Sequence, residues 1–275
     1  MINKTLRHMN SPAMSLYDRS IRMNWNLTSP MDKLVVYTEG LIRNLDVNNT
    51  SAVKIAYLIE PRVINQHGYN FLEKGMDKYY SYIISHDLRF LENFPIEKRV
   101  WCPGSGSFIH DYEWNIYPKK ELVQFIVGDK RDTVGHKFRY EITNKLNNKI
   151  TSIVGRGFVP FGLDTKCMVT KDFMYQICVH NCVVEDYWTD ILVDCIAVGT
   201  VPIVHGGKFL EKYFNMDGII TFDNIEQLEF VLDTIGESDY NRRLDAIRKN
   251  HQIMFNKYRI IEDYLYDSLF YKFDK

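Results

Sequence analysis

The sequence predicts an α/β fold of two Rossmann-like domains facing each other across a central cleft. Three observations predict it. From residue 34 to the C-terminus, apolar runs of four to seven residues alternate with longer helix-like stretches, the pattern of parallel strands covered on both faces. This alternation is interrupted once, by the polar and aromatic stretch 111–120 (DYEWNIYPKK). The length of 275 residues, 45% hydrophobic and 14% aromatic, suffices for two cores of about 130 residues each. The expected domains are therefore 1–118 and 119–258, with a C-terminal helix at 259–275 packing back on the N-terminal domain.

In the first series, 34–37 (LVVY) and 53–59 (VKIAYLI) read as strands, 69–80 as a helix and 82–85 as a strand. A short strand at 99–102 (RVWC) runs into the turn-rich Cys102-Pro103-Gly104-Ser105-Gly106. In the second series, 122–127 (LVQFIV) reads as a strand, 134–146 as a helix, and 150–154 and 175–179 as strands. The stretch 186–198 reads as a helix closed by Gly199, a natural C-cap. Strands at 200–204 and 218–222 follow, then helices at 226–235 and 241–258 and a Tyr/Phe-rich helix at 260–270. Residues 1–33 are polar and are assigned no element.

Charge and cysteine usage narrow the class. Lys+Arg 34 against Asp+Glu 35 leaves a net charge of -1, which speaks against a globally basic nucleic-acid binder. Five cysteines without a CxxC pair suggest neither a zinc site nor a disulfide framework, so a reducing, cytoplasmic setting is expected, with Cys178 and Cys195 as packing residues. Residues 1–33 hold no apolar h-region, and no apolar run reaches the length of a membrane span, so no signal peptide or spanning helix is expected. No D-x-D sits between apolar flanks, and His180 and His205 stand alone, so no metal and no cofactor are expected.

Chemistry concentrates in 177–207 (ICVHNCVVEDYWTDILVDCIAVGTVPIVHGG). A buried strand leads into a polar loop, a helix opened by Glu185 and Asp186, and a strand ending in His205-Gly206-Gly207. The first turn of such a helix presents unpaired N–H groups and a positive dipole end to a phosphate. Asp190 suits ribose hydroxyls, Tyr187 and Trp188 offer faces for stacking, and Gly206 and Gly207 admit a ligand close to the backbone. The plainer reading is a βαβ unit with a well-capped helix.

This segment resembles the donor-binding motif of the family 10 fucosyltransferases, a pattern close to E-N-S, a short gap, D-Y-x-T-E-K, a helix and G-T-V-P-[IV]-x-x-G. The matching residues are His180-Asn181-Cys182, then Asp186-Tyr187-Trp188-Thr189-Asp190-Ile191, then Gly199-Thr200-Val201-Pro202-Ile203-Val204-His205-Gly206. Weaker agreement extends over 123–230, where Gly135-His136-Lys137-Phe138-Arg139 resembles the stretch with the family's phosphate-binding Arg. In the first series, Ile59-Glu60-Pro61 resembles the E-S-P motif that carries the family's proposed catalytic base. The GTVPI stretch is also similar to exostosin-like transferases of the same GT-B architecture.

The resemblance implies a GT-B, inverting, metal-independent glycosyltransferase that moves a sugar from a nucleoside-diphosphate sugar, GDP-fucose by family default, to a glycan acceptor. Two departures bear on the donor. The family's Glu-Lys pair is Asp190-Ile191 here, and the Glu before its Asn is His180. Another donor such as UDP-xylose fits the altered contacts at least as well, and a non-catalytic nucleotide-sugar-binding protein is the alternative from a different class. A nucleotide-sugar epimerase would want a GxGxxG after the first strand, which the chain does not have. Golgi members begin with a membrane anchor that this chain lacks, so a microbial or viral source is expected, with the host cytoplasm as the location if viral.

Arg139 and Lys130 are the expected diphosphate ligands. Arg156, in a Gly-Arg-Gly turn after a strand, lines the donor site together with Asn181, Tyr187, Asp190 and Gly206. Glu60, ending an apolar strand, is the expected general base, and Glu39, after the strand at 34–37, is the next choice. His86-Asp87 is a third pair, for acceptor contact or base. The plainer readings are an exposed helix charge for Arg139, a simple turn at 155–157 and surface carboxylates for the glutamates.

Overall fold

Two parallel sheets organise the chain. The structure is a computed structural model describing residues 2–7, 20, 22–26, 34–44, 51–155, 159, 162 and 165–273. The chain divides into two compact units, Met1–Gly106 with Ile260–Lys275, and Ser107–Arg259.

In the first unit, β1 (Ile2–Arg7), β2 (Met23–Asn26), β3 (Leu34–Thr38), β4 (Val53–Leu58), β5 (Tyr82–Ser85) and β6 (Arg99–Trp101) form one sheet in the order β2-β1-β3-β4-β5-β6. All of its pairings are parallel. Helix α1 (Arg62–Glu73) follows β4, and the short α2 (Leu88–Leu91) follows β5. In the second unit, β7 (Glu121–Ile126), α3 (Val134–Leu146), β8 (Ser152–Val154), α4 (Lys166–Thr170), β9 (Phe173–Cys178), α5 (Asp190–Ala197), β10 (Val201–His205), β11 (Ile220–Phe222), α6 (Ile225–Thr234) and α7 (Glu237–Lys257) follow in sequence. Its sheet is also parallel, ordered β11-β10-β9-β7-β8. The last helix, α8 (Ile261–Ser268), belongs to the first unit.

Strand alternation assigns the two faces of the first sheet. Val35, Tyr37, Ala56, Leu58 and Ile83 pack with Tyr69, Leu72 and Phe90 of α1 and α2. Leu34, Val36, Ile55, Tyr57 and Ile84 pack instead with Ile261, Leu265, Leu269 and Phe270. The second core gathers Val123, Phe125, Tyr175, Ile177, Val201 and Ile203 with Ile142 and Leu146 of α3 and Leu228 and Leu232 of α6. Cys178 and Cys195 are fully buried, as expected of packing residues. Among the described residues no helix is long and apolar enough to cross a membrane.

Several elements depart from the sequence reading. Strands β1 (INKTLR) and β2 (MNWN) were not expected, because their polar residues mask the apolar run of a doubly covered strand. The helix expected at 69–80 is α1 at Arg62–Glu73, ended by Gly75 in the left-handed region (φ 85) before a separate turn of 3-10 helix, Met76–Tyr79. The helix expected to open at 186 opens at Asp190, because Asp186 is itself left-handed (φ 64) and Thr189 is extended at the N-cap. The last long helix begins at Glu237, earlier than expected. Trp188, read as a stacking face, is fully buried among Tyr213, Phe214 and Tyr258.

Candidate active site

Doubly wound sheets bind ligands beyond the C-terminal strand ends, where the strand order reverses. In the second unit that point lies between β7 and β9, and α3 begins there. Thr133 caps α3 by accepting from His136 N (3.1 Å), and His136 Nδ1 accepts from Thr133 N in return (3.3 Å). Gly135 N donates to Asn181 O (3.1 Å), and a Cβ on Gly135 would stand 1.9 Å from His180 O, so the helix start and the loop after β9 touch backbone to backbone.

One turn along α3, Arg139 is buried against that loop. Its Nε and Nη2 donate to Val179 O (2.8 and 2.5 Å), and Nη2 also reaches Asn181 Oδ1 (3.4 Å). Among the described residues Nη1 donates to no protein group. Burial pulls the Arg139 pKa down, opposed by the charge of Asp190, and a guanidinium so placed remains cationic.

Asp190 is the first residue of α5, and its Oδ2 pairs with Lys166 Nζ. Lys166, on α4, also pairs with Asp194 Oδ2 (2.5 Å). Asp194 Oδ1 in turn accepts from Ser107 Oγ (2.8 Å) and Phe108 N (2.8 Å). Burial works against the Lys166 charge, but the two carboxylates outweigh it and hold its pKa above the ordinary value. His180 is buried with Nδ1 3.0 Å from Thr189 Oγ1; burial and then the Arg139 charge lower its pKa to about 4, so it is neutral at physiological pH.

The expected donor residues fall into two groups. Arg139, Asn181 and Asp190 converge at the ends of β9 and α5. Tyr187 is buried, edge-on to His180 at 6.0 Å. Gly206 is left-handed (φ 66), and a Cβ there would lie 2.5 Å from Val183 Cγ1. Lys130 is exposed in the loop after β7, where its charge reaches His136. Arg156 lies outside the described residues. Sequence reasoning missed Lys166 and Asp194. The one available signal was the lost cation at Ile191, which says that a charge is missing without saying where another enters.

In the first unit, the strand ends gather Glu39 after β3, Glu60 after β4 and His86-Asp87 after β5. Glu39 is in the left-handed region (φ 48), a strain of roughly 1 kcal/mol for a residue with a Cβ. Its Oε1 accepts from Ile59 N (2.7 Å) and Glu60 N (2.9 Å). Burial raises its pKa to about 7 despite those two bonds; the Glu60 charge adds to the rise and Asn65 opposes it. Asn65, which sequence reasoning also missed, interrupts α1 (φ -115, ψ 47), and its Oδ1 accepts from Gly68 N (3.1 Å). His86 is buried, its pKa lowered to about 3 by burial, with the Ile59 backbone opposing. Asp87 caps α2 by accepting from Phe90 N (2.9 Å). Among the described residues no group of three or more His, Cys, Asp and Glu side chains is gathered as a metal site would need.

Residues 116–249 match the family model of the glycosyltransferase family 10 (fucosyltransferase) C-terminal region. No curated protein sequence matches the chain. Among solved structures, an alpha1,3-fucosyltransferase with GDP is similar over 94% of this chain and 91% of its own, at 12% identity and a TM-score of 0.57. The Anabaena HepE protein in complex with UDP-glucose is similar over 88% and 79%, at 9% identity and a TM-score of 0.59. A sucrose-phosphate synthase from Thermosynechococcus elongatus is similar over 87% and 73%, at 9% identity and a TM-score of 0.60. These structures speak to the fold, and the family model to the half of the chain that carries the Arg139–Asn181–Asp190 cluster. The chain has the two-sheet fold of GT-B glycosyltransferases, and residues 116–249 resemble the C-terminal region of the family 10 fucosyltransferases.

Proposed function

We propose that the chain is an inverting, metal-independent transferase that moves a sugar from a nucleoside-diphosphate sugar to a glycan hydroxyl. GDP-fucose is the default donor, from the family model and the alpha1,3-fucosyltransferase likeness. A UDP-sugar such as UDP-xylose is the second reading, favoured by Asp190-Ile191 at the donor motif and by the HepE likeness.

The observation that carries the proposal is Arg139. Two of its nitrogens are committed to Val179 O, which fixes the guanidinium plane and leaves Nη1 as a directed donor to an anion. A leaving diphosphate neutralised there needs no metal. The base is a first-unit carboxylate: Glu39, whose raised pKa suits proton transfer near neutrality, with Glu60 as the choice the motif resemblance favours. In one displacement the base takes the acceptor proton, the acceptor oxygen bonds to the anomeric carbon, and the bond from that carbon to the phosphate oxygen breaks with its electrons going to the diphosphate.

The test is calorimetric titration of GDP, UDP and pyrophosphate into parent and Arg139→Met protein, with unfolding curves confirming that both are folded. Loss of the Arg139 contact is expected to weaken binding by about 1.5–3 kcal/mol, roughly tenfold or more. Equal binding by folded Arg139→Met protein removes the phosphate assignment.

A further inference from the structure

We propose that Lys166 is a positioning residue of the donor site: it clamps one oxygen of Asp190 so that the other faces the ribose hydroxyls of a nucleoside diphosphate. The inference rests on the donor-site reading above and assigns a role to a residue outside the donor motif.

Three charged side chains form a graded series. The side chains of Asp194 and Lys166 are 1% and 4% exposed, whereas that of Asp190 is 21% exposed. Asp194 is anchored from behind by Ser107 Oγ and Phe108 N, both on Oδ1, and presents Oδ2 to Lys166. Lys166 passes the constraint to Asp190 Oδ2. Among the described residues Asp190 Oδ1 accepts no hydrogen bond, and Asp190 is the member of the series that reaches solvent. The next residue of α5, Ile191, brings no charge, so the cation beside Asp190 comes from another helix. Phe108 closes over the ammonium at 4.8 Å. A lone carboxylate on a first helical residue samples several rotamers; one held from behind is fixed before a ligand arrives, and fixing it beforehand lowers the ordering cost of binding. With Arg139 and Lys166 positive and Asp190 and Asp194 negative, the cluster is neutral, which suits burial.

The experiment compares GDP and UDP with their 2′,3′-dideoxy counterparts and with pyrophosphate, by calorimetry. The variant is Lys166→Met/Asp194→Asn, which removes one buried charge of each sign and leaves Asp190, the member of the series that reaches solvent, without its lysine. The parent is expected to prefer the ribonucleotide roughly tenfold or more. In the variant the preference falls below about threefold, while pyrophosphate affinity stays within about threefold of the parent. A merely structural role would lower all three affinities or none. A preference unchanged in the variant, or absent from the parent, overturns the proposal.

Should the variant fail to fold, the unmodified protein still decides. The Lys166 ammonium signal in 15N-lysine-labelled protein, assigned with Lys166→Arg, is expected to shift on adding the nucleotide that binds and to stay put with pyrophosphate. No shift at saturating nucleotide overturns the proposal. If neither GDP nor UDP binds the parent, the donor-site reading falls and takes this inference with it; if nucleotide binds without these effects, only the role of Lys166 falls.

Discussion

Glu39 and Glu60 are neighbours at the same strand ends, yet burial treats Glu39 in a particular way. Both backbone bonds to Glu39 end on Oε1. Glu39→Gln therefore keeps both bonds through its amide oxygen and loses only the ability to take a proton. If Glu39 is the base, that variant is expected to lose about 10²–10⁴-fold in turnover with donor affinity nearly unchanged. A large loss in Glu60→Gln with near-normal Glu39→Gln would transfer the role to Glu60. The same burial predicts two opposite pH trends. Turnover should fall as pH drops below about 7, when Glu39 gains its proton. Because its folded pKa is raised above the unfolded value, its contribution to stability is full below about 4.5 and is lost as pH rises through about 7. Denaturant unfolding from pH 4 to 8 checks the second trend, and Glu39→Gln should flatten it. The carboxylate at 60 was legible from its motif. The raised pKa of Glu39 was not, because it depends on neighbours brought in by β4 and α1.

Helix α3 owes its position to its first turn. The Thr133–His136 capping box sets where it starts, and Gly135 lets it sit directly against the loop after β9. Thr133→Ala is expected to cost about 1 kcal/mol, the usual worth of an N-cap. Gly135→Ala places a methyl group on a backbone oxygen with no flexible side chain to yield, so overpacking of roughly 1–3 kcal/mol is expected. The two variants separate in binding: Gly135→Ala tilts Arg139 away from Val179 and should weaken pyrophosphate, whereas Thr133→Ala should leave it unchanged. Thermal unfolding and titration of both variants check this. The helix itself was read from sequence with its observed bounds, because its ends and apolar face are local. The later start of α5 was not, since the left-handed Asp186 is held by Tyr213 Oη (2.8 Å) and Lys212 Nζ (3.2 Å), partners more than twenty residues away.

At the scale of the whole molecule, the first unit takes its last helix from the far end of the chain. Ile261, Leu265, Leu269 and Phe270 are fully buried against β3, β4 and β5. At about 1.5–3 kcal/mol each, their removal approaches the entire stability of a typical domain. Deleting 260–275 is therefore expected to abolish cooperative unfolding of the first unit while the second still melts cooperatively, as calorimetry would show. If Arg139 serves the leaving diphosphate as proposed, turnover by the intact chain is expected to survive excess EDTA; complete, reversible loss on chelation would place a metal in the reaction.

Periodicity and motif spacing by themselves determined the parallel α/β character of both halves, the strand-end location of Glu39, Glu60 and His86, and the strand–loop–helix–strand order of 177–207. Each of these depends on residues close together in the chain, where side-chain alternation and turn chemistry act directly. Only the tertiary structure decided which oxygen of Glu39 is held, which nitrogens of Arg139 are committed, and that Lys166 pairs with both Asp190 and Asp194. Those facts depend on burial and on partners that meet only when the sheet orders bring distant strand ends to one edge, and desolvation has no signature in local sequence.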